Sequence, residues 1–258
     1  MRPTDADRVR TLPIFSGVSD ETFKAVTALS YLQRFPAGAT LLYEGDPVDF
    51  LYVLLGGQVE LQGAWNDKET TLAILRPVST FILAAVVLDA DALMAARTLD
   101  RCEILMIAGN AIRAGMENDP LFGVAVAREL SGCYCGLVRT LKNQKLRAGV
   151  ERLANYLVTL HAKTDAGEMV RLPHEKRVLA SLLGMTPENL SRAFVTLQPY
   201  GVIVSGADVR LTKLKDLVRL AKPDPSIDNN APTSPPIIVL AGAEIWPATP
   251  QRAPAHSS

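Results

Sequence analysis

The sequence predicts an α+β protein: an antiparallel sandwich or roll on the N-terminal side, a long helix, then a winged helix-turn-helix. Three observations carry this expectation. From Gln33 to Ile107, short apolar runs alternate with glycine-bearing turns. From Pro120 to about Lys145, apolar residues recur at alternating spacings of four and three. From His174 to Leu197, two helical patterns flank Gly184, and the second opens on Thr186-Pro187.

The elements follow in order. Residues 5–32 read as a helical region anchored by Leu12, Ile14 and Phe15, with Ser19 as a cap and Phe23, Val26, Ala28 and Leu29 facing inward. The runs Leu41-Leu42-Tyr43, Phe50–Leu55 and Val59-Glu60-Leu61 then read as strands, punctuated by Gly45-Asp46 and Gly56-Gly57, where hairpin turns need positive φ. The long helix begins after Asn118-Asp119-Pro120. Val126, Leu130, Cys133, Leu137 and Thr140 mark either a seam with a second copy or a face packed on the chain's own roll. Arg147 to His161 forms another helix, with Val150, Leu153, Ala154, Leu157 and Leu160 inward, and 164–168 is a turn. Gly201–Val204 and Val209–Leu211 bracket Ser205–Asp208 as the wing, and Leu214, Leu217, Val218 and Leu220 close the unit. From Pro223 onward 8 of 36 residues are proline, so a disordered tail is expected, with Ile237–Leu240 as its apolar run. The domains are thus expected at 1–116, 117–146, 147–222 and 223–258.

The helix-turn-helix stretch carries the chemistry. Gly184 can end the first helix in the left-handed region, and Met185 can tuck between the helices. Thr186 offers an N-cap oxygen, and Pro187 sits where its missing N–H is no loss. Leu190, Phe194 and Leu197 face inward, which leaves Glu188, Asn189, Ser191 and Arg192 outward near the helix N-terminus, the layout of a helix that reads base edges. A solvated polar face would look the same, so charge has to decide. The chain is neutral as a whole, but residues 1–141 hold 12 Lys/Arg against 17 Asp/Glu, whereas 142–222 hold 14 against 7. Only the second part is suited to a polyanion. Lys176, Arg177, Lys142, Lys145, Arg147, Arg210 and Lys213 are then expected on phosphates, which position without specifying.

The pattern Phe35-x-x-Gly38-x-x-Leu41-x-x-x-Gly45-Asp46-x-x-Asp49-x-Leu51-Tyr52-x-Leu54-x-x-Gly57-x-Val59 resembles the β-roll of cyclic-nucleotide-binding domains. Followed by a helix-turn-helix, it resembles the cAMP-receptor-protein/FNR superfamily of bacterial transcription regulators over residues 10 to about 220. The resemblance implies a homodimer built on the long helix, an effector bound in the roll, double-stranded DNA as target, and RNA polymerase as a partner. Glu188-x-x-Ser191-Arg192 resembles the reader of FNR-like members, which implies TTGA-type inverted repeats. Glu188 would accept from cytosine, Arg192 would donate to guanine, and Pro187 stands where cAMP-type readers carry a base-reading arginine.

The same resemblance fails at the effector. Family members that bind cAMP hold the ribose with Gly-Glu and the phosphate with Arg-Ser. Here the region reads Pro77 to Leu88 without Gly-Glu, and the Arg-Ser positions fall on Ala92 and Leu93. A buried phosphodiester without a cation is strongly disfavoured, and Arg97 reads as a surface residue, so cAMP is not expected. An FNR-type iron–sulfur cluster needs four cysteines, and the chain has Cys102, Cys133 and Cys135 alone. Haem held by histidine is disfavoured, since His161, His174 and His256 all lie past the roll; ligation by Cys or Met stays open. Phe81, Leu83, Val87, Leu137 and Val138 are the candidate apolar effector pocket. Cys133 is either a contact across the seam or a small buried side chain.

Two other classes compete. A cupin-like enzyme on a β-roll would hold a metal with several histidines, and residues 1–160 contain none. A signalling adaptor without a DNA target leaves the basic second part without a purpose. No metal site and no catalytic residues are expected. The charged opening and the lack of a run of about 18 apolar residues point to a cytoplasmic chain without a membrane partner.

Overall fold

The computed structural model describes residues 3–66, 68–164 and 167–228. The tail from 229, with its apolar run at Ile237–Leu240, lies outside the described residues, as does part of the turn at 164–168.

The chain opens with α1 (Pro3–Arg10), a 3-10 turn (Pro13–Phe15) and α2 (Asp20–Thr27). Ser19 caps α2, its hydroxyl accepting from the Thr22 N–H at 3.1 Å. The helical region ends earlier than the sequence suggests: Ser30 already pairs with Ile107 in a sheet. Strands β1 (Ser30–Phe35), β2 (Thr40–Leu42), β3 (Phe50–Gly56), β4 (Val59–Trp65), β5 (Lys68–Leu75) and β6 (Ser79–Phe81) follow. Then come α3 (Leu83–Leu88), β7 (Ala95–Thr98) and β8 (Cys102–Ala108). They form two four-stranded antiparallel sheets, β1-β8-β3-β6 and β2-β7-β4-β5.

β3 shows why the sequence there is continuously apolar. Its side chains alternate between faces, and both faces are buried. Leu51, Val53 and Leu55 enter a cluster with Phe15, Val26, Ile107, Ile112 and Phe122, under the helices. Tyr52 and Leu54 enter the cluster between the two sheets with Val59, Leu75, Phe81 and Ile104. The turn after β3 depends on Gly57, at φ +85°, where a Cβ would lie 2.5 Å from the Arg101 carbonyl oxygen.

α4 (Gly109–Asn118) leads into α5 (Pro120–Leu146). Asp119 caps α5, accepting from Leu121 N–H at 2.9 Å and Phe122 N–H at 3.3 Å. The first part of α5 packs on the chain's own roll: Phe122, Ala125 and Val126 belong to its core, and Leu130 packs against it. The face of α5 that stays exposed lies further along the helix. Val126 is fully buried within one chain, whereas Tyr134, Leu137, Val138 and Leu141, at helical spacings of three and four, are exposed. By length and composition α5 also passes for a membrane-crossing helix, with mean hydropathy 1.3, contrary to the expectation above. Arg128 and Glu129 stand in its first half, and 22% of the apolar stretch is buried within the chain.

The second part comprises α6 (Gly149–Thr164), β9 (Met169–Arg171), α7 (Lys176–Leu182) and α8 (Pro187–Leu197). A 3-10 turn (Gln198–Tyr200), β10 (Val202–Ser205), β11 (Asp208–Leu211), α9 (Leu214–Ala221) and α10 (Pro225–Asp228) complete it. β10 and β11 are the expected wing hairpin. β9, in sheet order β10-β11-β9, has no counterpart in the sequence expectation: at three residues its alternation is too short to register. Leu153, Leu157, Leu179, Leu197 and Leu217 form the core, and Ile74 of β5 joins them from the roll.

Candidate nucleic-acid interface

α7 and α8 meet at a short turn whose chemistry is local. Gly184 ends α7 at φ +62°, with its N–H donating to the Ser181 carbonyl at 2.8 Å. Thr186 caps α8, accepting from the Asn189 N–H at 3.2 Å, and Pro187 occupies the first helical position. Leu190, Ala193, Phe194 and Leu197 are buried, which fixes the rotation of α8. Glu188, Asn189, Ser191 and Arg192 are therefore exposed together on its other side. Its own N–H and the Thr186 hydroxyl hold the Glu188 carboxyl below the usual carboxylate range, so at neutral pH it is an acceptor only. Ser191 donates to the Pro187 carbonyl at 3.0 Å and keeps lone pairs for a further partner. Val195 is also exposed, at 61%, one turn beyond Ser191 and Arg192. Sequence reading passes over it because a lone valine at that spacing fits the inward face as readily.

The cations divide into those that face solvent and those already engaged. Lys176, Arg177, Lys145 and Arg210 are exposed; Lys213 is exposed too, but its ammonium donates to the Pro199 carbonyl at 3.2 Å. The Lys176 ammonium stands 6.0 Å from the Phe194 ring centroid, at the base of α8. Arg210 lies on β11 opposite Ile203, itself 55% exposed, so the wing carries one cation and one apolar side chain on the same face. Arg147 and Lys142 are different. Arg147 is held by the Asp228 carboxylate, and Lys142 donates to the Ser226 hydroxyl.

Arg152 ties the reader to the long helix. Its guanidinium donates to the Leu183 carbonyl at 2.7 Å and the Gly184 carbonyl at 3.2 Å, and also to the Arg147 carbonyl at 2.6 Å. These are the open carbonyls at the end of α7 and just past α5, groups that no helix can satisfy for itself. The Gln144 side-chain amide lies against Gly184, whose φ of +62° disfavours any other residue there.

The roll distributes the candidate pocket residues among different surroundings. Phe81 stacks on Tyr52, with centroids 5.2 Å apart, between the sheets. Leu83 and Val87 of α3 pack under the helices in the other cluster. Leu137 and Val138 are exposed on α5. Ala92 is buried, its N–H donating to the Asp46 carbonyl at 2.9 Å, and Leu93 is exposed. Arg97 is a surface residue that donates to the Gly38 carbonyl at 3.3 Å. Burial, with Glu129 adding to it, pushes the Cys133 thiol up to about 11, so it is not a thiolate at neutral pH.

A β-roll sensor, a long helix and a winged helix-turn-helix with an exposed polar reader face define a class: two-part DNA-binding regulators. The comparisons with known proteins agree. Residues 32–119 match the cyclic nucleotide-binding domain family, and residues 151–222 match the Crp-like helix-turn-helix domain family. The chain is 24% identical over 215 residues to a protein of Mycobacterium tuberculosis described as a CRP-like cAMP-activated global transcriptional regulator, covering 81% of this chain and 96% of that one. It is 28% identical over 204 residues to a Thermus thermophilus cyclic AMP receptor protein, covering 75% and 89%. In fold it is similar to a c-di-GMP responsive global regulator of Xanthomonas campestris, with a TM-score of 0.64 at 20% identity, over 75% of this chain and 99% of that one. The chain belongs to the CRP/FNR superfamily of bacterial transcription regulators, and it is a regulator, not an enzyme.

The two parts also touch within the chain. The Ser181 hydroxyl of α7 accepts from the Thr71 N–H of β5 at 2.6 Å and bonds the Thr70 hydroxyl at 3.0 Å. Beside this contact, burial first and then the Arg76 charge push the His174 imidazole down to about 4, with Asp100 opposing. An ordinary unfolded histidine titrates near 6.5, so between about pH 4 and 6.5 the unfolded chain binds more protons. His174 therefore stabilises the fold fully above that window and loses its effect as pH falls through it. The thermal midpoint of wild type is expected to fall more steeply than that of His174→Gln between about pH 7.5 and pH 5. Superimposable pH curves would refute this placement of His174.

Proposed function

We propose that the protein is a homodimeric, sequence-specific transcription regulator that reads TTGA-type inverted repeats with α8. The observation that carries the reading is the joint exposure of Glu188, Asn189, Ser191 and Arg192 on the N-terminal half of a helix whose opposite side is buried. An ionised Glu188 suits the cytosine amine, and Arg192 suits guanine O6 and N7. Ser191 and Val195 suit a thymine methyl. Lys176, Arg177 and Arg210 supply phosphate contacts. The division is residues 1–116 for sensing, 117–146 for assembly, 147–222 for reading, and 223–258 as an extension. RNA polymerase is the expected partner, and the cytoplasm the expected place.

The effector is not cAMP. The names of the relatives point to cyclic nucleotides, but the positions aligned with the family's phosphate-holding pair are Ala92 and Leu93, neither able to pair an anion. An apolar or redox-active effector acting through the roll fits this chain better.

Glu188→Ala is expected to lose about 1–3 kcal/mol on the cognate site and to relax selectivity at the G·C pair. Fluorescence anisotropy on the cognate and single-substituted duplexes measures both, and unchanged selectivity would mean that α8 is not the reader. The assembly has its own check. Tyr134, Leu137, Val138 and Leu141 form the exposed stripe, and two glutamates facing each other in it would be desolvated as like charges. Leu137→Glu should therefore sediment as a monomer where wild type sediments as a dimer at micromolar concentration. A wild-type monomer, or a dimer untouched by the substitution, would place the interface elsewhere.

A further inference from the structure

We propose that Arg147 and Lys142 form a phosphate site beside the helix-turn-helix, and that residues 224–228 occupy it in the free protein with the Asp228 carboxylate in the place of a phosphate. The inference rests on the reading of the chain as a DNA-binding regulator and deepens it.

The geometry is that of a guanidinium gripping an oxyanion. Arg147 Nη1 donates to Asp228 Oδ1 and Nη2 to Oδ2, each at 2.6 Å, a parallel fork that fits carboxylate and phosphate alike. The Asn143 side-chain oxygen, at 3.1 Å from Nη1, and the Lys222 carbonyl, at 3.2 Å from Nη2, accept from the same guanidinium and aim it. One residue before Asn143 and five before Arg147, Lys142 reaches the same strap, its ammonium 2.6 Å from the Ser226 hydroxyl. Under the strap the Arg147 side chain is only 7% exposed, against 22% for Asp228.

The site adjoins the turn that leads into α8. Arg147 follows α5 directly, and its carbonyl is bound by Arg152, which also binds the carbonyls of Leu183 and Gly184 in the reader turn. Met185 reaches to within 3.3 Å of the Cβ position of Gly149. The two cations are thus built into the same small assembly that introduces the N-terminus of α8.

The strap lies just past the matched helix-turn-helix domain. The Crp-like helix-turn-helix match ends at residue 222, and there Lys222 turns the chain back at φ +46°, a left-handed conformation unusual for lysine. What returns is acidic and ordered for the purpose. Asp224 accepts from the Ser226 N–H at 2.7 Å, and Asp228 accepts from the Asp224 N–H at 2.7 Å while holding Arg147. A reader segment with 14 bases against 7 acids is followed at once by a strap that lays the Asp228 carboxylate on Arg147 and the Ser226 hydroxyl, itself held by Asp224, on Lys142. Releasing the strap exposes two donors; leaving it in place withholds them from DNA.

The test is the salt dependence of binding to a duplex of unrelated sequence by the full-length protein. Asp228→Asn frees Arg147, and should steepen the log–log slope by about 0.9 and tighten binding roughly fivefold to tenfold at about 0.1 M salt. Asp224→Asn with Ser226→Ala, which frees Lys142, should move both in the same direction. Asp228→Glu, which keeps the carboxylate, should behave as wild type. In an Arg147→Gln background Asp228→Asn should change neither slope nor affinity. If Asp228→Asn and the Asp224/Ser226 variant, both shown folded by their melting transitions, bind with the wild-type slope or more weakly, the strap is a structural clasp and the proposal falls. A wild type that binds no duplex at all overturns the regulator reading itself, and is distinguished by that.

Discussion

The Arg152 guanidinium is the contact on which the reader's position depends. One side chain satisfies carbonyls from the end of α7, from the turn, and from the residue after α5. The Leu183 carbonyl, at the buried end of α7, would otherwise lack a donor, at a cost of about 1–3 kcal/mol. Burial lowers the Arg152 pKa, but an arginine keeps its charge through such a shift, so the clamp persists at any pH the protein meets. Through it, rotation of the long helix and rotation of the reader cannot be independent. That is the mechanical requirement of a regulator whose sensor and reader lie in different parts of the chain.

A second coupling runs across the roll. Ile74 of β5 belongs to the core of the reading part, and Ser181 of α7 is bonded to Thr70 and Thr71. Around this patch the Arg76 Nε and the Tyr156 hydroxyl are buried without a hydrogen-bond partner among the described residues. Unpaired buried polar groups make a contact less stable than its area suggests. The two parts are therefore joined at two points, the Arg152 hinge and the contact between β5 and α7.

Much of this was legible in the sequence, for identifiable reasons. Gly184, Thr186 and Pro187 act through their own backbones, so the turn and the start of α8 could be placed from residue type alone. The doubly buried β3 announced itself as the apolar run Phe50–Leu55. What escaped was whatever depends on distant partners. β9 is three residues long and exists only because β11 lies beside it. Val126 fits a coiled-coil seam by spacing, but Phe15 and Phe122 claim that side of the helix first. Arg147 reads as a free cation until Asp228, 81 residues later, is seen to return to it.

The central claim is that α8 reads sequence, twice, in a two-fold assembly. Selection of bound fragments from a randomised duplex library by the full-length protein tests it most directly. The account predicts enrichment of an inverted repeat of TTGA-type half-sites, with centres about one helical turn apart, roughly 10 base pairs. Enrichment of a single unpaired half-site, or no enrichment above unselected DNA, would contradict it.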